Sequence, residues 1–252
     1  MTLEPTTIAL VIAAFLVGGI VKGTIGLGLP VVVLSVLAQV MPLRDAIAVF
    51  LLPGVVSNIW QATSGPWLRP LVARLWSFLL ASIAGIVVGV SILAGSKSET
   101  MSAVLGALLI AYSTYSLIAP RLPAPGRHEG WMAPTAAGSA GVLCGMTGIF
   151  IVPGILYLEA LRLPRDEFVQ ALGITFIVLT TTMAVSLAGF ELMGWRHVIL
   201  SAAGLLPTFA GIWAGRRMRH RISEAGFRRV FFIALIVTGA YMIARGLGVL
   251  GA

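Results

Sequence analysis

Two apolar stretches of this chain are interrupted by glycine and proline, one in each half: Lys22-Gly-Thr-Ile-Gly-Leu-Gly-Leu-Pro30 and Gly145-Met-Thr-Gly-Ile-Phe-Ile-Val-Pro153. Glycine and proline weaken a helix and leave backbone N–H and C=O groups without intrahelical partners. Lipid cannot satisfy such groups, so a break at membrane depth has to be enclosed by protein or face a polar cavity. Paired interruptions in the two halves of a membrane protein point to a binding site where the halves meet. The expected organisation is a first membrane repeat over 1–120, a linker over 121–131 and a second repeat over 132–252.

Composition supports the membrane reading. Charged residues make up 10% of the 252 and apolar ones 58%, with a mean hydropathy of +1.01; soluble domains carry roughly 25% charged residues. Apolar segments cover about 7–41, 46–65, 70–94, 101–119, 132–158, 168–190, 197–215 and 227–250, most near the ~20 residues a spanning helix needs. The expectation is an all-α polytopic membrane protein. Its N-terminal stretch reads as the first membrane element rather than a signal peptide, because it has no basic leader, carries Glu4 and stays apolar too long. Pro120, Pro123, Pro125 and Gly126 suit an exposed joint between the halves. The single cysteine, Cys144, excludes an intramolecular disulfide and a two-thiol relay, and the three histidines form no metal-ligand pattern. No cofactor is expected.

The net charge of +8 comes largely from Arg216, Arg217, Arg219, Arg221, Arg228 and Arg229. In a membrane chain such a cluster marks a cytoplasmic loop that also meets anionic lipid headgroups, and nucleic acid is not an expected partner. The segment 7–41 would be about 52 Å long as one helix, against a hydrocarbon layer of ~30 Å. It either crosses as a broken helix or enters, turns at the glycines and returns; 132–158 poses the same choice. Eight crossings place ten basic residues on the cluster's face, including Arg44 and Lys97, and six opposite. Two re-entrant elements instead group Arg69, Arg74, Arg121, Arg127, Arg162 and Arg165 with the cluster, giving twelve against four: Arg44, Lys97, Arg196 and Arg245. The second arrangement has the stronger bias. It leaves three full crossings after each broken element, so the halves would be inverted repeats; either count puts both termini outside. Gly23 to Pro42 and Gly145 to Pro164 are both 19 residues, with Gly26 and Gly148 at the same offset and Arg-Asp after each closing proline region.

Lys22 is the only charge between Glu4 and Arg44. An ammonium at the centre of a membrane helix costs about 2.5–3.5 kcal/mol on insertion scales, which makes it a functional candidate, with snorkelling as the plain alternative. Gly23, Gly26 and Gly28, followed by Pro30 opening a helix, would expose N–H groups and a helix N-terminus to an anion. Gly145, Thr147, Gly148 and Pro153 repeat that logic. Small-residue packing is the competing account, strongest for Gly141/Gly145, Gly85/Gly89 and Gly211/Gly215. Asn58, Gln61 and Thr175 are expected to line the path with neutral polar groups, against the alternative of interhelical hydrogen bonding. All nine acidic residues lie at segment ends or loops, so a proton relay through a mid-membrane carboxylate has no support.

The Lys-Gly-x-x-Gly-x-Gly-x-Pro run at Lys22–Pro30, its Gly-x-x-Gly echo at Gly145–Gly148, and the segments Asp45-Ala46-Ile47-Ala48 and Gln170-Ala171-Leu172-Gly173 resemble the TauE/SafE family of sulfite and organosulfonate exporters. The resemblance spans nearly the whole chain. It implies a multi-pass permease of the bacterial inner membrane, without enzyme activity, that exports a small anion such as sulfite or a related organosulfonate from a site at the repeat interface. Phe150 and Ile151 replace the Gly-x-Gly continuation in the second motif, so the two half-sites need not contribute equally. An importer or exchanger of another small anion or sulfur metabolite would use the same cavity. An intramembrane enzyme is the remote alternative, since no Ser nucleophile pairs with a membrane histidine. Homodimerisation through small-xxx-small faces stays open.

Overall fold

The computed structural model describes residues 5–118, 122–150, 152–218 and 224–246. Glu4, Pro120, Arg121, Ile151, Arg219, His220 and Arg221 lie outside the described residues, as does the side chain of Arg228. Every described element is helical: α1 Pro5–Ile25, α2 Leu29–Leu37, α3 Leu43–Ala62, α4 Leu68–Gly95, α5 Ser98–Ile118, a 3-10 turn at Gly126–His128, α6 Glu129–Thr147, α7 Gly154–Ala160, α8 Arg165–Gly189, α9 Trp195–Ala203, α10 Leu205–Met218 and α11 Glu224–Gly246. Among the described residues seven helical stretches are long and apolar enough to cross a membrane. The expected all-α polytopic class is the observed one. The run 132–158 supplies no single span, because it is divided into α6 and the short α7. The run 197–215 lies within one membrane-length stretch, Trp195–Met218, interrupted at Gly204 between α9 and α10, with Pro207 in the first turn of α10.

The helices fall into two compact units, Met1–Pro53 with Ser96–Ala119 and Leu192–Ala252, and Gly54–Gly95 with Pro120–Glu191. Each unit combines helices from both halves of the sequence.

In the first unit α1 lies parallel to α10: a Cβ on Gly19 would fall against Thr208 and Gly211, and one on Gly23 against Ile212. The backbones approach as closely as they do because these positions carry no side chain. Thr24 strengthens the seam, its hydroxyl donating to the Ile20 carbonyl at 2.8 Å and the Gly215 carbonyl at 3.3 Å. Helices α5 and α11 run antiparallel, with Gly106 against Gly239 and Gly246 beside Ala103 and the Glu99 carbonyl. At one end of this unit the Leu43 N–H donates to Ser98 Oγ at 2.9 Å, His197 Nε2 meets Asp45 Oδ1 at 3.3 Å and Arg245 donates to the Gln39 carbonyl at 2.6 Å. Arg44, Lys97, Arg196 and Arg245 therefore share an end, while Arg229 sits near the start of the oppositely directed α11.

In the second unit α4 lies parallel to α6, with Gly85 against Gly138 and Gly141, Gly89 against Gly145, and Arg74 paired bidentately to Glu129 at 2.8 and 3.0 Å. The pairs Gly85/Gly89 and Gly141/Gly145 are thus used for helix packing. Gln170 on α8 spends its whole amide on the α3–α4 turn, donating to the Ala62 and Gly65 carbonyls and accepting from the Trp67 N–H.

The α4·α6 seam separates two glycines of one helix. Gly141→Ala should lower stability by roughly 1–3 kcal/mol, because its Cβ would meet the Ser82 carbonyl and Gly85. Gly138→Ala meets only ordinary contacts with Ala81 and should gain about 0.5–1 kcal/mol. Thermal unfolding of the two variants in detergent measures the difference.

Candidate functional site: the two helix breaks

The first break follows from the glycines. The last turn of α1 closes with the Gly26 N–H donating to the Lys22 carbonyl at 2.8 Å, and the chain then takes φ values of +87° at Gly26 and +103° at Gly28. These lie in the left-handed region where glycine escapes the Cβ penalty. Gly28 is the N-cap of α2 and offers no side-chain cap, and Pro30 occupies the first turn, where its missing N–H costs nothing. The Leu29 and Val31 N–H groups begin the helix without intrahelical acceptors, as first-turn donors do. The chain reverses here: Leu29 and Val33 reach the space beside Gly18, seven residues back along α1. Helix α2 has only 9 residues, too few to cross the hydrocarbon layer.

The second break has the same form. Gly148 caps α6 with φ +78°, its N–H donating to the Cys144 carbonyl at 2.6 Å, and Pro153 is the N-cap of α7. The Val152–Pro153 bond is cis. Gly154 lies beside Ala140, seven residues before the end of α6, so this element also folds back.

Their contents differ. Lys22 stands in the last turn of α1, one turn before the first break, and is only 9% exposed. The partial negative charge of a helix C-terminus favours an ammonium there. The second break is filled by aromatic rings: Phe78 of α4 packs edge-on to Phe150 at 5.9 Å and stacks on Tyr157 at 5.4 Å. Phe150, at the start of the departure noted in the sequence, thus sits in an aromatic cluster, and Tyr157 is a packing residue within it.

The expected site residues divide by role. Lys22, Gly26, Gly28 and Pro30 form the first break. Gly23 and Gly145 are taken up by the glycine seams, where the packing account holds. Thr147 and Gly148 belong to the second break; the Thr147 hydroxyl donates to the Leu143 carbonyl at 2.6 Å and accepts the Ile149 N–H at 3.4 Å. Gln61 donates to the Val169 carbonyl at 3.0 Å, the interhelical bonding held as its alternative role. Asn58 is buried on α3. Thr175 is fully buried on α8, and its hydroxyl, like those of Ser113 and Tyr157, has no hydrogen-bond partner among the described residues.

Sequence reasoning did not find the His197–Asp45 contact. The signal that existed was local: glycine at 194 and a polar side chain three residues later, the spacing of a capping box. Nothing along the chain paired that histidine with an aspartate 152 positions away.

Seven helical stretches long and apolar enough to cross a membrane, with two fold-back breaks among them, define an all-α multi-pass membrane protein. A family model described as "Sulfite exporter TauE/SafE" matches residues 10–242. The chain belongs to the TauE/SafE family. Comparisons with curated proteins and with solved structures give no match.

The first break also isolates backbone strain from crowding, because nothing lies within 4 Å of a Cβ placed on Gly26. Gly26→Ala should therefore cost about 1–2 kcal/mol through its left-handed φ alone, and Gly26→Asn less. Unfolding of both variants in detergent checks the order.

Proposed function

We propose that the protein exports a small oxyanion, sulfite or a related organosulfonate, and that the first break binds it. The observation that carries the reading is the buried Lys22 ammonium one turn ahead of a glycine-built turn that opens the uncapped first turn of α2. A helix N-terminus and an ammonium both favour negative charge. A charge-assisted hydrogen bond contributes about 1.5–3 kcal/mol, comparable with the cost of placing Lys22 in the membrane. The aromatic filling of the second break supports an unequal pair of half-sites, with the first carrying the charge recognition. The family supports the cargo class.

An inside-negative potential drives an anion outward by about 2.3 kcal/mol per charge per 100 mV, so export needs no coupling ion. The antiparallel α5·α11 pair and the shared end of Arg44, Lys97, Arg196 and Arg245 support two re-entrant elements, since eight simple crossings would make α5 and α11 parallel. On this reading the halves are inverted repeats in the bacterial inner membrane. The arginine cluster faces the cytoplasm and both termini lie outside.

Two measurements test this. Proteoliposomes loaded with sulfite should release it at least about tenfold more slowly with Lys22→Met, and Lys22→Arg should retain part of the rate; an unchanged rate with Lys22→Met contradicts the site. A thiol introduced by Lys97→Cys should react with an impermeant reagent from outside intact cells, and one introduced by Arg229→Cys should not. Labelling of both from one side would contradict the re-entrant topology.

A further inference from the structure

At one end of the first unit the first turns of α3 and α9 are joined by an imidazole–carboxylate pair that anion binding does not use. His197 Nε2 lies 3.3 Å from Asp45 Oδ1, and the Gly194 N–H donates to His197 Nδ1 at 2.9 Å. A ring nitrogen that accepts a hydrogen bond carries no proton, so the second contact fixes the tautomer: Nδ1 is bare, and Nε2 holds the proton and donates it to Asp45. The two side chains are 15% and 18% exposed, shielded but within reach of water. His197 is the third residue of α9 and takes the place that Glu or Gln fills in a capping box, reaching back to the N-cap backbone.

Helix α9 depends on such support. It has 9 residues, too few to be stable alone, and is separated from α10 by Gly204, whose missing side chain makes room for Phe15 of α1. A second tie to α3 runs from the Leu52 N–H to Ser201 Oγ at 3.1 Å.

We propose that His197 is a proton-binding site that controls the N-terminus of α9. Protonation puts an N–H on Nδ1, directly against the Gly194 N–H. Two donors then face each other, so the ring must turn away from Gly194 while Nε2–H keeps its hold on the Asp45 carboxylate. An imidazolium in the first turn also opposes the helix dipole. The cap therefore opens as pH falls and reforms as it rises. The other charges on elements at this end are Arg44 on α3, Arg196 on α9, Glu191 in the turn before α9, Glu99 on α5, Lys97 just before it and Arg245 on α11, all exposed. Helix α1 has no charge between Pro5 and Lys22, and α10 none before Arg216. Helix α9 leads into α10, whose Ile212 and Gly215 pack on Gly23 and Thr24 beside Lys22. Opening of the cap thereby reaches the first break; this last consequence rests on the anion-site reading, whereas the cap switch does not.

Hydrogen–deuterium exchange of the full chain in detergent, read over residues 192–203 at about pH 5.5 and about pH 8 and corrected for intrinsic rates, tests the switch without measuring transport. The wild type should exchange about fivefold faster at the lower pH, the factor expected for loss of one cap. His197→Gln should stay protected at both, because its Oε1 can accept the Gly194 N–H and its amide can donate to Asp45. His197→Ala should exchange fast at both. Equal wild-type protection at the two pH values, or a pH response that persists in His197→Gln, overturns the proposal. Either result leaves the Lys22 site untouched.

Discussion

Lipid offers no hydrogen bonds, so each backbone group released by a helix break must be met by protein, water or solute. That constraint explains why glycine seams accompany the breaks. Helix α1 is fixed against α10 at Gly19 and Gly23, immediately ahead of the turn at Gly26–Gly28, and α6 is fixed against α4 at Gly141 and Gly145, immediately ahead of the turn at Gly148. Backbone contact at that distance holds the end of each broken helix in place without a side chain between. The short α2 and α7 then fold back onto the helices they leave. Neither 9 nor 7 residues would form a stable helix alone, so both depend on this fold-back.

The two breaks share a backbone form and differ in their side chains. Where the first break has Lys22, the second has Cys144 at the same offset, and Phe150 beyond it packs edge-on to Phe78, which stacks on Tyr157. A buried ammonium favours negative charge nearby, whereas an aromatic cluster supplies packing.

Much of the architecture was legible along the chain because it is enforced locally. Helix breaks need glycine with positive φ and proline in a first turn, and both residue types announce themselves. The membrane class follows from hydropathy, and the pairs Gly85/Gly89, Gly141/Gly145 and Gly211/Gly215 were readable from their spacing. What the chain did not disclose depends on contacts far apart in sequence. The spacing of Gly23 and Gly145 fitted either a binding turn or a seam, and only the position of the facing helix decided for the seam. The need for glycine at 204 is set by Phe15, a residue of another helix. The His197–Asp45 contact joins helices from opposite halves, and the local spacing of Gly194 and His197 does not point to the aspartate.

Lys22 and the opening of α2 are assigned here to one anion, and the most direct measurement is an anomalous-scattering map of the protein with selenite, a heavier analogue of sulfite. The account predicts a peak within hydrogen-bonding distance of Lys22 Nζ and the first-turn N–H groups of α2. Selenite density elsewhere, with Lys22 buried against protein and no peak beside Gly26–Gly28, would contradict it.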